Sequence, residues 1–313
     1  MSGRPSLRVE LAPRHHRGLA LSNPVMIASG IAGYGIEFGE IADIQKLGAI
    51  VCKGTTLRPR EGNPQPRLVE TAGGVLNAVG LENIGVDALI RDKAPVWAGW
   101  QIPVIVNVAG ETVEEYAAVA GKLEGVPGVS GIEVNISCPN VSAGSMEFGV
   151  DPELAARVTS SVKSATGLPV IVKLSPNVTD IREIALAVEE AGADAICLIN
   201  TLRGMAIDVD GRKPCLGNVV GGLSGPAIKP VALRMVFETA KVSGVPVIGC
   251  GGILSAGDAL EFIMAGATAV QVGTAGLSSP DSYLSILEGI ERFMTDNGFE
   301  DITEIVGIAR RYA

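Results

Sequence analysis

Aromatic residues are scarce in this sequence, at 4% of 313 positions, and His occurs only twice. With hydrophobic residues at 47%, the core must be built from Val, Ile, Leu and Ala. That much apolar residue excludes an intrinsically disordered chain. A basic excess is also missing: 25 Lys and Arg face 34 Asp and Glu, a net charge of −9. No broad basic face is available for a nucleic-acid backbone, so nucleic acid is not an expected partner. An anionic ligand must then be held by local devices, such as glycine amides or single lysines. The five cysteines (Cys52, Cys138, Cys197, Cys215 and Cys250) are far apart, with no CxxC pair and no metal-ligand spacing. An odd, scattered set argues for a reducing compartment and against a disulfide framework or a metal site. Long apolar runs are absent too. The two uncharged stretches, Gly18–Ile36 and Phe262–Pro280, are broken by Gly, Pro, Ser or Thr, and Met1–Pro13 carries Arg4, Arg8 and Glu10 without a signal core. The expectation is a soluble cytoplasmic protein with no membrane span.

What is abundant is glycine, with 40 residues beside 18 prolines. There is no Gly-x-y period, so the glycines belong to turns. Between them recur short β-branched runs: Val25–Ala28, Ala49–Lys53, Val104–Val108, Ile132–Ser137, Val170–Leu174, Ala195–Asn200, Val247–Cys250 and Ala269–Val272. Each is nearly continuous in apolar residues, as in strands buried on both faces. Helical patterns alternate with them at Glu111–Leu123, Asp151–Thr166, Thr179–Ala191, Ala227–Val242, Ser255–Ala265 and Asp281–Met294. Asp151-Pro152-Glu153 reads as a cap followed by a first-turn proline. Eight strands alternating with helices predict an α/β protein, one (β/α)8 barrel over residues 1–313. A doubly wound sheet is the weaker alternative, because no GxGxxG follows the first strand. Three segments exceed a minimal barrel. Leu7–Leu21 suits a hairpin across the floor. Thr55–Leu81 and Arg203–Gly225 are long excursions after strands two and six, and Val209-Asp210-Gly211 gives the second a hairpin signal. Both follow strands and therefore overhang the C-terminal mouth, where barrel enzymes do their chemistry.

Polar residues end the strands at that mouth: Lys53, Asn107, Asn135, Lys173 and the pair Asn200-Thr201. Burying such groups unpaired costs a few kcal/mol each. Rim hydrogen bonding explains any one of them, but five together fit a planar polar ligand. Strands seven and eight end in Gly249-Cys250-Gly251-Gly252 and Gly273-Thr274-Ala275-Gly276, with Gly221-Gly222-Leu223-Ser224-Gly225 as a third cluster. Any one cluster reads as a tight turn. Their joint position after strands six to eight suits a phosphate.

These blocks carry a family pattern. Asn135-Ile136-Ser137-Cys138-Pro139-Asn140 resembles the Asn-x-Ser-Cys-Pro-Asn motif of class 1 dihydroorotate dehydrogenases. Asn77 through Leu81, Val172 through Asn177 and Ile199-Asn200-Thr201 agree, and Gly221 through Ile228 looks like class 1B in particular. The similarity covers about residues 7–310. It implies an FMN-containing barrel that oxidises (S)-dihydroorotate to orotate in pyrimidine synthesis. By motif, Ser29, Lys53, Gly54, Asn107, Asn135, Lys173, Ile199, Gly225, Gly251, Gly252, Gly273 and Thr274 would contact FMN. Lys53, Asn77, Ala78, Val79, Gly80, Leu81, Asn135, Asn200 and Thr201 would contact dihydroorotate. Cys138 would be the catalytic base. The first loop departs from the family, which often has Phe or Cys where Ile31 and Ala32 stand.

The implied chemistry suits these residue types. One carbon loses a hydride to the flavin and its neighbour loses a proton to a group on the opposite face. A thiol with a pKa of about 8.5 needs tuning for that task. Gly144 and Gly149 would hinge a lid over Val141–Gly149. Lys173 would stabilise negative charge developing on the flavin. Asn177 reads as family motif or as a cap for the helix starting near Thr179. Class 2 features, a membrane segment and a Ser base, are not matched. Class 1B membership implies a homodimer core in a heterotetramer with a subunit carrying FAD and a 2Fe–2S cluster, electrons passing to NAD. The scattered cysteines here hold no such cluster. A fumarate-dependent class 1A homodimer, a flavin dehydrogenase of another dihydropyrimidine, and a flavin-free phosphate-binding barrel stay open as alternatives.

Overall fold

A computed structural model describes residues 4–40, 42–137 and 148–312. Eight parallel strands close into a barrel: β1 (Val25–Ile27), β2 (Ala49–Val51), β3 (Val104–Val108), β4 (Gly131–Asn135), β5 (Val170–Lys173), β6 (Ala195–Leu198), β7 (Val247–Cys250) and β8 (Ala269–Val272). Neighbours in sequence are neighbours in space, and β8 pairs with β1 through Val270↔Val25 to close the ring. Nearly every strand residue is buried, because one face packs in the barrel and the other lies under helices. The predicted runs overshoot at their C-terminal ends: Lys53, Ile136, Ser137, Asn200 and Thr201 lie just past their strands.

The outer layer holds α1 (Val86–Asp92), α2 (Val113–Leu123), α3 (Pro152–Ala165), α4 (Ile181–Glu190), α5 (Lys229–Val242), α6 (Ala256–Ala265), the single turn α7 (Ala275–Ser278) and α8 (Ser282–Asn297). Local chemistry sets their starts. The side chains of Thr112, Asp151 and Asp180 accept from Glu115, Leu154 and Arg182 amides, and Ser255 with Asp258 forms a reciprocal capping box. Asp180 therefore caps α4. Asn177 instead takes the Arg203 amide (3.0 Å) and donates to the Thr201 carbonyl (3.3 Å). The sequence pattern had missed α1, whose start at Gly85 has no side-chain cap.

Val9–Glu10 pairs antiparallel with Ala20–Leu21 as the expected floor hairpin. The two long excursions turn out to be one structure. Leu202–Gly204, Gly221–Ser224, Gly74–Asn77 and Leu68–Thr71 form a four-stranded antiparallel sheet in that order. A hairpin of Ile207–Asp208 with Lys213–Pro214 extends from it, as Val209-Asp210-Gly211 indicated. Leu76, Ala78 and Leu216 make a small separate core beneath this sheet. The main core is aliphatic; Trp97, Tyr116, Phe262 and Tyr283 are its largest fully buried aromatic side chains. Among the described residues no helix is long and apolar enough to cross a membrane.

Candidate active site

The barrel interior is apolar except for one polar layer below the mouth. Asn107 from β3, Glu133 from β4, Lys173 from β5 and Gln271 from β8 all point into it and are at most 5% exposed. Asn107 Nδ2 donates to Glu133 Oε1 at 2.8 Å, and Gln271 Nε2 donates to Glu133 Oε2. Lys173 Nζ donates to Gln271 Oε1 at 2.8 Å, with Cys250 Sγ at 3.8 Å and Glu133 Oε1 at 3.9 Å. Burial opposes the charge on Lys173. The acidic groups facing it, Cys250, Glu133 and Cys197, more than offset that and hold its pKa above the ordinary value. Of these, Glu133 supplies the counter-charge, because burial pushes both thiols up. Cys52 is likewise pushed up to about 12 by burial, which fits an inert packing thiol.

One atom in this layer is left over. Asn107 Oδ1 is buried and finds no hydrogen-bond partner among the described residues. A buried acceptor without a donor costs about 1–3 kcal/mol. It lies beside Gly54, whose missing Cβ would sit 3.1 Å away. An N–H brought by a ligand would satisfy it.

Above the layer, Asn135, Asn200, Thr201 and Asn77 are linked by successive contacts, with Lys53 and Leu81 making contacts of their own. Asn135, in register with Lys173, accepts at Oδ1 from Asn200 Nδ2 (3.3 Å) and from the Ser137 amide (3.2 Å). Asn200 Oδ1 takes the Thr201 amide (2.8 Å). Thr201 packs against Gly222, whose carbonyl accepts from Asn77 Nδ2 (3.2 Å). Leu81 reaches Gly54, and its backbone is left-handed (φ 56°). Lys53 Nζ meets Glu82 Oε1 at 3.3 Å, and Arg67 bonds the other carboxylate oxygen. The Lys53 hydrogen bond and charge, with Arg67, hold the Glu82 carboxyl below the usual range. Ala78 stands apart: its side chain fills the small core, its amide bonds Arg67 O and its carbonyl takes Asn63 Nδ2. Val79 O accepts from the Asn63 amide, and Gly80 is buried against Asn63.

The glycine clusters meet on the far side of the mouth. Gly225, Gly251 and Gly252 all have positive φ (101°, 127° and 75°). A Cβ on Gly252 would fall 2.9 Å from the Gly225 carbonyl and 2.7 Å from Lys229 Cβ, so the backbones touch only because side chains are missing. Thr274 Oγ1 bonds Ser224 Oγ at 3.0 Å, tying the loop after β8 to this corner. Gly273 faces Ala28 and Ile31, Ser29 Oγ donates to Cys52 O (2.9 Å), and Ile199 N donates to Cys250 O (2.8 Å). The mouth thus offers an orphan acceptor and a buried ammonium at its base, linked amides on one side and open glycine backbone on the other. That set fits a planar ligand with N–H donors and an anionic tail.

Cys138, expected as the base, and residues 141–147 of the Val141–Gly149 lid lie outside the described residues. Glu133 and Gln271 are the members that sequence reasoning missed. A charge inside Ile132–Ser137 and an amide inside Ala269–Val272 were the available signals. A separate surface groove between α3 and α4, lined by Ala156, Arg157, Ala187 and Glu190, holds none of the predicted site residues.

Comparison with known proteins gives a match to the family model "Dihydroorotate dehydrogenase" over residues 13–294. Curated relatives named "Dihydroorotate dehydrogenase B (NAD(+)), catalytic subunit" are similar end to end. The protein of Geotalea uraniireducens (strain Rf4) is 56% identical over 305 residues, covering 97% of this chain and 98% of that protein. That of Desulforamulus reducens (strain ATCC BAA-1160 / DSM 100696 / MI-1) is 58% identical over 291 residues, 93% and 96% of the two chains. That of Desulforudis audaxviator (strain MP104C) is 56% identical over 294 residues, 94% and 96%.

Proposed function

This chain belongs to the dihydroorotate dehydrogenase family, class 1B, and from that premise we propose that it is an FMN-binding (β/α)8 barrel, one domain over residues 1–313, that oxidises (S)-dihydroorotate to orotate in cytoplasmic pyrimidine synthesis. The observation that carries this reading is the convergence of Lys53, Asn77, Asn107, Asn135, Lys173, Asn200 and the glycine corner on one mouth, each beside a group it complements.

The residues fit an FMN. Gly225, Gly251, Gly252, Gly273 and Thr274 would hold its phosphate with backbone amides and a hydroxyl. Asn107, Lys173, Ser29, Lys53, Gly54, Asn135 and Ile199 would hold its ring system. When bound, the flavin supplies the hydride acceptor. Asn135, Asn200, Asn77 and Thr201 offer paired donors and acceptors that match the amide edges of dihydroorotate. Lys53 would meet its carboxylate, with the backbone of Val79, Gly80 and Leu81 closing over it. Ala78, whose side chain lies in the small core, would take part through its backbone. Cys138 would take the proton from the substrate carbon next to the one that loses the hydride. The ammonium of Lys173, fixed by Gln271, stands ready for negative charge at the base of the mouth.

Electrons then leave through a partner. The relatives' names, which carry "NAD(+)" and "catalytic subunit", support NAD as acceptor and a partner subunit; that this partner carries FAD and a 2Fe–2S cluster and joins a homodimer core in a heterotetramer is what the family resemblance implies. The test is anaerobic mixing of the purified chain with dihydroorotate or dihydrouracil. Dihydroorotate is expected to bleach the flavin in wild type. Cys138→Ala should keep the flavin and lose most of the bleaching. Bleaching by dihydrouracil alone overturns the substrate, and full-speed bleaching in Cys138→Ala overturns the base.

A further inference from the structure

A carboxylate accepts hydrogen bonds and donates none. Glu133 therefore fixes the sense of both amides that touch it. Asn107 must present its Nδ2 inward, which leaves Oδ1 facing Gly54 and the mouth. Gln271 must present its Nε2 inward, which leaves Oε1 to accept from Lys173. We propose that Glu133 is a positioning residue for the cofactor: it acts through Asn107 and Gln271 to hold one acceptor and one ammonium in place for the ligand's ring. The inference rests on the mouth binding FMN, and it assigns a task to a side chain buried within β4 that lies one layer below the linked site residues.

The alternative is that Glu133 merely satisfies buried neighbours. The two differ in their effect on Lys173. The groups facing its ammonium are Gln271 from β8, Cys250 from β7, Cys197 from β6 and Glu133 from β4. Burial holds both thiols protonated at neutral pH. In Glu133→Gln the new amide has one donor and one acceptor. If it accepts from Asn107, it must donate to Gln271, which then turns its own N–H groups toward Lys173. The ammonium loses its acceptor and its counter-charge together, and burial favours the neutral amine.

The test is titration of apoprotein with FMN, followed by flavin fluorescence, between about pH 6.5 and 9.5, a range spanning the loss of a destabilised lysine proton. Wild type is expected to bind with a Kd that varies little across this range. Glu133→Gln should bind about tenfold or more weakly at neutral pH, for the loss of a charge-assisted contact. Its Kd should rise further as pH rises and Lys173 loses its proton. Gln271→Met serves if Glu133→Gln does not fold. It removes the Lys173 acceptor but leaves Asn107 set, so a weaker and pH-dependent Kd is again expected. A folded variant of either kind with wild-type Kd and a flat profile overturns the positioning role. Wild-type apoprotein that takes up no FMN overturns the cofactor reading itself, and the inference with it.

Discussion

At the floor of the barrel, ionic groups close on each other. Lys163 reaches Asp194 Oδ2 at 2.7 Å, and the same carboxylate oxygen takes the Val170 amide. Glu124 receives Arg17, the Thr166 hydroxyl and the Gly167 amide. At the mouth the same kinds of group stop short of closure. Asn107 keeps a buried acceptor unpaired, Lys53 is held by a half-exposed Glu82, and three glycines with positive φ crowd their backbones together. The floor spends its polarity on the fold. The mouth holds polarity in reserve for something that the chain itself does not contain, which is how a binding site differs from a structural cluster of similar composition.

The sharpest break in this comparison comes from Lys173→Ala. It strands the Glu133 carboxylate in the barrel, and leaving a buried charge without its partner costs about 3–5 kcal/mol. Urea unfolding should show that loss, together with lost FMN binding. Wild-type stability would mean the pair is not the electrostatic centre of the barrel. Gly252→Ala comes next, because a Cβ there meets Lys229 and a left-handed backbone. Strain of about 1–3 kcal/mol is expected, with weaker FMN binding by fluorescence titration; unchanged binding would remove the glycine corner from the phosphate site.

Glu82→Gln should act more gently and in the opposite direction. Freed from its partner, Lys53 presents more positive charge to an anionic substrate. The KM for dihydroorotate is expected to fall about two- to fivefold at low salt, and less at high salt. A rise in KM would show that Glu82 orients Lys53 rather than competing for it. Glu124→Gln, at the floor, should have the smallest effect. An exposed pair of this kind contributes about 0.2–1 kcal/mol, and flavin binding should not change. Hydrogen bonds from Arg17, Thr166 and Gly167 depress the Glu124 carboxyl from 4.5 to about 2. Its contribution is therefore present above pH 4.5 and is lost as pH falls toward 2. The stability gap between wild type and Glu124→Gln should close over that window in acid melts. A gap that widens there contradicts the assignment.

The barrel was legible because the strands are apolar runs and four of the helices begin at a Thr, Asp or Ser cap. The set of site residues was legible because amides and lysines end strands that ought to stay apolar. Other features were hidden for physical reasons. α1 is only 7 residues long and begins at Gly85 without a capping side chain, too short to show a helical period. The union of the two excursions into one sheet is a pairing across Gly222↔Asn77, which no local pattern encodes. Glu133 and Gln271 sit within apolar runs, where alternation gives way to two-sided burial and one polar residue reads as noise. Pairing of β3 with β4 sets Glu133 beside Asn107, and closure of the barrel brings Gln271 onto Lys173 and Glu133.

The central claim is that the open polarity of the mouth belongs to FMN. The absorption spectrum of the protein purified without added cofactor, with mass analysis of whatever is released on denaturation, tests it directly. The account predicts a yellow protein that releases FMN at about one per chain. A colourless protein whose apo form takes up no FMN would contradict it.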